Sequence, residues 1–362
     1  MLRRSKLADQ CAFHLIGQMD RGHLLGELPG VDRLAESLGV SRETVRAALR
    51  LLEEQGRITS RGNGRARQVV TGASKERGKA LKVAILLNEP FGEESGSTQV
   101  LLLRVRTALE NLGHGCFFAA KSQMELGYDL RRIGRLVNAV TADAWLVMAG
   151  SGELLHWLGK RPVPVFAIGG RNDIVKIAGV ARDCAEVYRQ AFRSLIAMGH
   201  RRISMICSAD RRTGVADTGL AALREELVAA GLPFGAFNAP GWEESQQGLQ
   251  ALLSSLFRVT PPTVLVLAFP YLMTGTLAFL AKRGLRVPND VSLVCEGMDR
   301  TLAWHAPKIA HFHYDAGLAV TGIVGWVETV ADGKPNLDRV LLPTQFDPGE
   351  TIAPPSGKSR LH

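Results

Sequence analysis

Residues 28 to 56, Leu28-Pro-Gly-Val-Asp-Arg-Leu-Ala-Glu-Ser-Leu-Gly-Val-Ser-Arg-Glu-Thr-Val-Arg-Ala-Ala-Leu-Arg-Leu-Leu-Glu-Glu-Gln-Gly56, decide how the first part of this chain is read. After Pro29-Gly30, the residues Val31, Leu34, Ala35 and Leu38 make one apolar side of a short helix, and Gly39 breaks it. A glycine there supplies the positive φ of a tight turn, Val40 plugs the turn, and Ser41 is a suitable N-cap for a helix running to about Gln55. In that helix Val45, Ala48, Leu49 and Leu52 have the spacing of a buried stripe, while Arg42, Arg46 and Arg50 stack four apart along another face. Upstream, Leu7, Cys11, Leu15 and Met19 recur at helical spacing and stop at Arg21-Gly22, which predicts a first amphipathic helix. Helix, short glycine-containing turn and helix make a helix-turn-helix.

Downstream, β-formers flank Asn63-Gly64, a hairpin signal, and the hairpin carries Arg61, Arg65 and Arg67. A basic hairpin directly after such a helix is a wing, able to lie along phosphates or the minor groove. The early part of the preceding helix enters the major groove. There arginine reads guanine or holds phosphate, and Glu43 can accept from a cytosine amino group. An isolated basic helix face is usually only solvated; the ordered succession of helix, turn, helix and hairpin favours DNA.

Charge supports the same division. The 362 residues carry 44 Lys and Arg against 35 Asp and Glu, a net +9. Residues 1–80 hold 15 against 9, so +6 of the excess lies in under a quarter of the chain and +3 in the rest. With 46% hydrophobic and 22% charged residues, the composition is that of a folded chain of two or three domains. The five cysteines are scattered without a Cys-x-x-Cys pair, which argues against a disulfide framework or zinc finger. The basic start is interrupted by Asp9, Gln10, His14 and Gln18 before any apolar signal core forms, and no stretch reaches the ~18 apolar residues of a membrane span. The expectation is a cytoplasmic protein with no membrane contact.

Residues 71–80 have the polar, Gly/Ser-containing composition of a linker. Beyond them apolar strands (82–88, 116–120, 144–149, 163–168, 203–207, 263–269, 291–295) alternate with amphipathic helices (100–112, 185–198, 220–230, 272–282). That alternation predicts parallel sheets buried on both faces, in two subdomains around a cleft, with ligand at the C-terminal strand ends. The expected domains are therefore a DNA-binding module at 1–70, a linker at 71–80, and an effector-binding and dimerisation core at 81–355. No catalytic set converges, and neither a Walker loop nor a Gly-x-Ser-x-Gly elbow is present. Gly150-Ser-Gly152 begins like a dinucleotide loop, but Leu155 stands where the third glycine belongs. His311-Phe-His313 places two imidazoles on one side of a strand without further ligands. No catalytic residue, cofactor or metal site is assigned.

Residues 7–70 resemble the winged helix-turn-helix of the GntR family of bacterial transcription regulators. The Leu-Pro start, the Gly-Val-Ser-Arg turn and the Thr-Val-Arg-x-Ala-Leu helix all match. By that resemblance Arg42, Thr44, Arg46 and Gly64 fall on DNA-contacting positions. Together with the residue reading, the expected DNA set is Ser41, Arg42, Glu43, Thr44, Arg46, Arg50, Arg61, Asn63, Gly64, Arg65 and Arg67. Two departures are Asp32, where the family has a basic residue, and Glu43, where it has Thr; both imply an unusual operator.

Residues 81–352 resemble the effector core of LacI/GalR repressors, itself similar to periplasmic sugar-binding proteins. The matching phrases are Val163-Pro-Val-Phe-Ala-Ile-Gly-Gly-Arg171, Leu195-Ile-Ala-Met-Gly-His-Arg-Arg-Ile203, Gly284-Leu-Arg-Val-Pro-Asn-Asp-Val-Ser-Leu-Val294 and the Leu342-Pro-Thr344 tail. Ala216 stands where the family has a sugar-binding Arg, and Phe269-Pro270 stands where it has Asn-Asp. These losses argue against a typical sugar. The remaining effector candidates are Asn88, Ser151, Phe269, Tyr271 and Asp299, with Trp304 as a further aromatic.

The resemblances imply a winged helix-turn-helix (α+β) followed by a periplasmic-binding-protein-like α/β core of two parallel-sheet subdomains. The implied function is a homodimeric repressor on a near-palindromic double-stranded operator, modulated by an unidentified small molecule. The alternatives are a solute-binding protein and an α/β enzyme carrying a DNA-binding head.

Overall fold

The computed structural model describes residues 26–54, 56–60, 67–69, 79–208, 218–258, 260–297 and 299–356, with positions 8, 11, 12, 14–16, 18, 19 and 24 nearer the N-terminus. The chain divides into two compact units. One comprises Met1–Gly92, Leu101–Ala181 and Ala316–Val340; the other comprises Glu93–Val100, Arg182–Asp315 and Leu341–His362.

Within the first unit the N-terminal module has a core of its own. The described residues between 8 and 19 are helical (α1), followed by α2 (Val31–Leu38) and α3 (Arg42–Glu54). Cys11, Leu15, Ile16, Leu28, Leu34, Val45, Leu49, Leu52 and Ile58 form one buried cluster. The predicted stripe of α3 is the buried one. Strands β1 (Ile58–Thr59) and β2 (Gln68–Val69) pair antiparallel, with Ile58 opposite Val69. Glu27 bridges to Gln68 on the other side, so the hairpin lies against the segment entering α2.

The rest of this unit is a parallel sheet in the order β4-β3-β5-β6-β7, built from β3 (Lys82–Leu86), β4 (Gly115–Phe118), β5 (Ala144–Met148), β6 (Val165–Ile168) and β7 (Ala178–Asp183). The helices of this unit are α4 (Gly96–Asn111, in this unit from Leu101), α5 (Leu130–Ala139) and α6 (Gly152–Gly159), joined late in the chain by α11 (Ala316–Ala331), whose Trp326 ring lies 5.2 Å from that of Phe166. Every residue of β5 and β6 is buried, as expected of strands covered on both faces.

Two polar clamps hold the residues that enter β3. Asp143 accepts the Lys82 N–H at 2.8 Å and pairs with Lys79 Nζ at 3.0 Å. These contacts, the backbone hydrogen bond first, hold its carboxyl below the usual range. Leu81 N–H donates to Nδ1 of buried His114, so the ring proton sits on Nε2, which donates to Glu328 Oε1 of α11 at 2.6 Å.

The second unit has parallel strands in the order β8-β9-β10-β11: β8 (Ile203–Ile206), β9 (Val264–Leu267), β10 (Ser292–Cys295) and β11 (Ala310–Tyr314). Strand β12 (Arg339–Asp347) then pairs antiparallel with β11, Phe312 facing Phe346. This departs from an all-parallel sheet. Pro343 interrupts the run, which hides the strand in the sequence, and it lies just beyond the last registered pair, Tyr314 with Thr344. Helices α7 (Ala185–Ala197) and α8 (Thr218–Ala229) pack on one face over Tyr188, Phe192 and Phe312, and α9 (Gln246–Leu256) and α10 (Tyr271–Lys282) on the other over Leu253, Leu280 and Leu293.

All five cysteines are free and buried. Burial pushes the Cys116 thiol up to about 11 and Cys295 up to about 12, so both stay protonated. Buried His200 ties the tail to this unit: Nε2 donates to Ala353 O at 3.0 Å and Nδ1 meets Thr263 Oγ1 at 2.9 Å. Desolvation lowers its pKa, so the neutral ring is the native form. Because the unfolded chain then binds the extra proton more readily, His200's contribution is full above ~6.5, the unfolded value, and is lost progressively as pH falls below it towards the lower folded pKa. Melting temperature at pH 5.5 and 7.5 should therefore differ less in His200→Gln than in the native chain; an equal difference would refute the assignment.

Candidate nucleic-acid interface and ligand face

Gly39 ends α2 in the left-handed conformation (φ 63°), its N–H returning to carbonyls of the last turn, and Val40 N–H donates to Ala35 O at 3.1 Å. The chain then turns directly into α3. Ser41 caps it, accepting the Thr44 N–H at 3.2 Å and sharing a hydrogen bond with the Thr44 hydroxyl at 2.9 Å. Ser41 and Thr44 thus hold the helix start in place. Burying Val45, Ala48, Leu49 and Leu52 turns the opposite face outward, and Arg42, Glu43, Arg46 and Arg50 are all exposed on it.

Two ion pairs lie at this interface, and sequence reading did not foresee either. Arg42 Nε sits 2.7 Å from Asp32 Oδ1, the second residue of α2. Arg67 Nε sits 2.6 Å from Glu53 Oε1 near the end of α3, both side chains half-buried. Arg67 O also accepts the Leu28 N–H at 2.8 Å. Arg67 therefore fastens the wing base to the recognition helix. Arg61, Asn63, Gly64 and Arg65 lie outside the described residues.

At the strand ends of the first unit, Asn88 is half-buried after β3, and Ser151 N-caps α6 by accepting the Leu154 N–H at 3.2 Å. Neighbouring Gln123 was missed by the sequence reading. It is 2% exposed and donates to Met148 O at 2.6 Å and Leu87 O at 3.3 Å, tying the ends of β5 and β3 together. The cavity that it lines with Ser151 and Tyr128 measures about 20 Å³, roughly one water. The Leu155 side chain fills the space that a Cβ at Gly150 would need.

In the second unit the Phe269 and Tyr271 rings stack at 5.2 Å and 11° after β9, and Tyr271 and Trp304 are exposed. Asp299 caps the short 3-10 helix Arg300–Trp304, its carboxylate accepting from Thr301 N–H at 2.9 Å and Thr301 Oγ1 at 2.8 Å. Glu296, directly after β10, is 4% exposed and sits where a Cβ on Gly219, at the start of α8, would have to go. An acid immediately beyond the apolar run Leu293-Val-Cys295 is the signal that could have found it. A larger concavity of about 520 Å³ between α7 and β12 borders a sheet face and not the strand ends.

The His311 and His313 rings are 5.4 Å apart, and His311 Nδ1 is engaged by Ile309 O. Among the described residues no group of three or more His, Cys, Asp or Glu is placed to hold a metal, and no helix is long and apolar enough to cross a membrane.

Residues 21–67 match the family model for bacterial regulatory proteins of the gntR family, and residues 192–352 match that for a periplasmic binding protein-like domain. The chain is 25% identical over 162 residues to catabolite control protein A of Priestia megaterium, a match covering 44% of this chain and 48% of that protein; it thus spans about half the length of this curated relative. The fold is similar to a putative transcriptional regulator LacI from Bacillus cereus subsp. cytotoxis (TM-score 0.62, 18% identity, 75% of this chain and 98% of that one). It is also similar to the transcriptional regulator CelR in a cellobiose complex (TM-score 0.62, 21% identity, 90% and 100%). Helix, capped turn, recognition helix and wing on one side, and parallel βα units on the other, agree with those matches: the chain joins a gntR-family regulatory domain to a periplasmic binding protein-like domain.

Proposed function

We propose that this protein is a cytoplasmic transcription regulator, a homodimeric repressor whose residues 1–70 read a near-palindromic operator and whose residues 81–355 bind a small molecule and pair two copies, joined by the linker 71–80. The observation that carries the reading is α3: a capped helix with one face wholly buried and Arg42, Arg46 and Arg50 presented on the other, backed by a hairpin latched to it through Arg67 and Glu53. Two-fold pairing of such readers matches two half-sites. Effector binding shifts operator affinity by the ~1–3 kcal/mol typical of such coupling. The CelR relative is described with cellobiose. Here Ala216, which lies outside the described residues, and Phe269-Pro270 replace polar sugar contacts, so the effector belongs to another class; the candidate contacts are Asn88 and Ser151 in the first unit and Phe269, Tyr271 and Asp299 in the second. No catalytic role is assigned.

The test is fluorescence anisotropy with the protein's own upstream region and with random duplex across a salt series. Sequence-selective binding that weakens as salt rises is the expected result, and equal affinity for both duplexes at every salt would reject it. Arg46→Ala should weaken operator binding by ~1–3 kcal/mol and relax preference at one base position. Equal losses on operator and random DNA would show that Arg46 holds phosphate.

A further inference from the structure

Arg42 opens the recognition helix, and its partner Asp32 is the second residue of the helix before it. The two meet across the turn at 2.7 Å, Arg42 Nε against Asp32 Oδ1, with side chains 66% and 74% exposed. An ion pair this open contributes little to stability. Its effect is on what Arg42 does next. A guanidinium is a flat fork; once a carboxylate holds the Nε edge, the two terminal Nη groups remain as the edge that points away, and that edge fits guanine O6 and N7 together. Asp32 also places a negative charge beside a guanidinium that would otherwise be free to meet backbone phosphate, and exposed Glu43 adds a second acid at the same helix start. Resting on the regulator reading above, we propose that Asp32 is a specificity-determining residue: it turns Arg42 from a phosphate contact into a guanine reader.

The operator is first selected from a random duplex library with the full wild-type chain. Anisotropy is then measured on that operator, on its single base-pair variants and on random duplex, over a salt series, for wild type, Asp32→Asn, Arg42→Ala and the double variant. Asp32→Asn should tighten random-duplex binding several-fold and steepen the log affinity against log salt slope by about 0.9, the contribution of one added phosphate contact. It should also lower discrimination at one G·C pair by about tenfold, within the range of one bidentate arginine–guanine contact. In the Arg42→Ala background Asp32→Asn should leave that base pair's discrimination unchanged. Unaltered far-UV circular dichroism and melting of Asp32→Asn will show that the fold is retained. Equal tightening on operator and random duplex, with discrimination intact, would mean that Asp32 only repels DNA, and the inference falls. Undiminished discrimination with no tightening also overturns it. If the wild-type chain selects no sequence at all, it is the regulator reading that fails.

Discussion

Leu49→Ala should abolish operator binding by unfolding the N-terminal module while leaving the α/β sheets folded. Leu49 is 1% exposed in a cluster that also contains Leu15, Leu34, Val45 and Leu52. Removing a buried leucine side chain costs about 2–5 kcal/mol, through lost transfer energy and the cavity left behind. A module of some sixty residues has little to spare, since domains of ordinary size are stable by only about 5–15 kcal/mol and small ones bury proportionately less surface. The expected record is a low-temperature melting transition moved down or lost, with the main transition in place and no DNA retained. Arg50→Ala, on the exposed face of the same helix, should leave both transitions alone. If Leu49→Ala keeps native operator affinity and melting, the buried stripe has been assigned to the wrong face.

Gly170→Ala should be the most damaging small substitution in the first α/β sheet. Gly170 follows β6 with φ 68°, and a Cβ there would lie 2.5 Å from both Gly150 N and Gly150 O and 2.6 Å from the Ala149 carbonyl carbon. Those atoms are main chain held by the Ala149 N–H to Ile168 O and Arg171 N–H to Gly150 O bonds, so they cannot swing aside as a side-chain tip would. Left-handed geometry alone costs a non-glycine residue about 1–2 kcal/mol, and forced overpacking adds about 1–3. With roughly 2–4 °C per kcal/mol for a unit of this size, melting should drop by about 4–20 °C. Gly169→Ala separates the two causes: its φ is 66° but nothing lies within 4 Å, so it should show the conformational part alone. Equal shifts for the two variants would dismiss the backbone clash.

Much of the architecture is legible in the sequence because it is written in local periodicity. The buried stripe of α3, the turn glycine at 39 and most of the strands of both sheets are found within a residue or two of where composition places them. Strand β7 and helices α5, α6 and α9 escape, and so do three elements whose local pattern is ambiguous. Strand β12 carries Pro343, and β11 alternates His311 and His313 with Phe312, which reads first as a candidate ligand pair. Helix α11 is rich in glycine and β-branched residues, poor helix formers, and is settled by packing around Ile323 and Trp326.

At the proposed DNA interface the sequence by itself determined which helix presents Arg42, Arg46 and Arg50, because 3.6-residue periodicity and the burial of one stripe leave a single outward face. Only the tertiary structure decided what two of the named arginines hold. Asp32 meets Arg42, ten residues on, across the left-handed turn at Gly39, and Glu53 meets Arg67, fourteen residues on, from helix to wing. Such pairs depend on how elements cross in space, which no period of 3.6 or 2 encodes. They divide the arginines into one aimed by a neighbouring acid, one used as a structural latch, and Arg46, with Arg50, presented outward on the exposed face of α3.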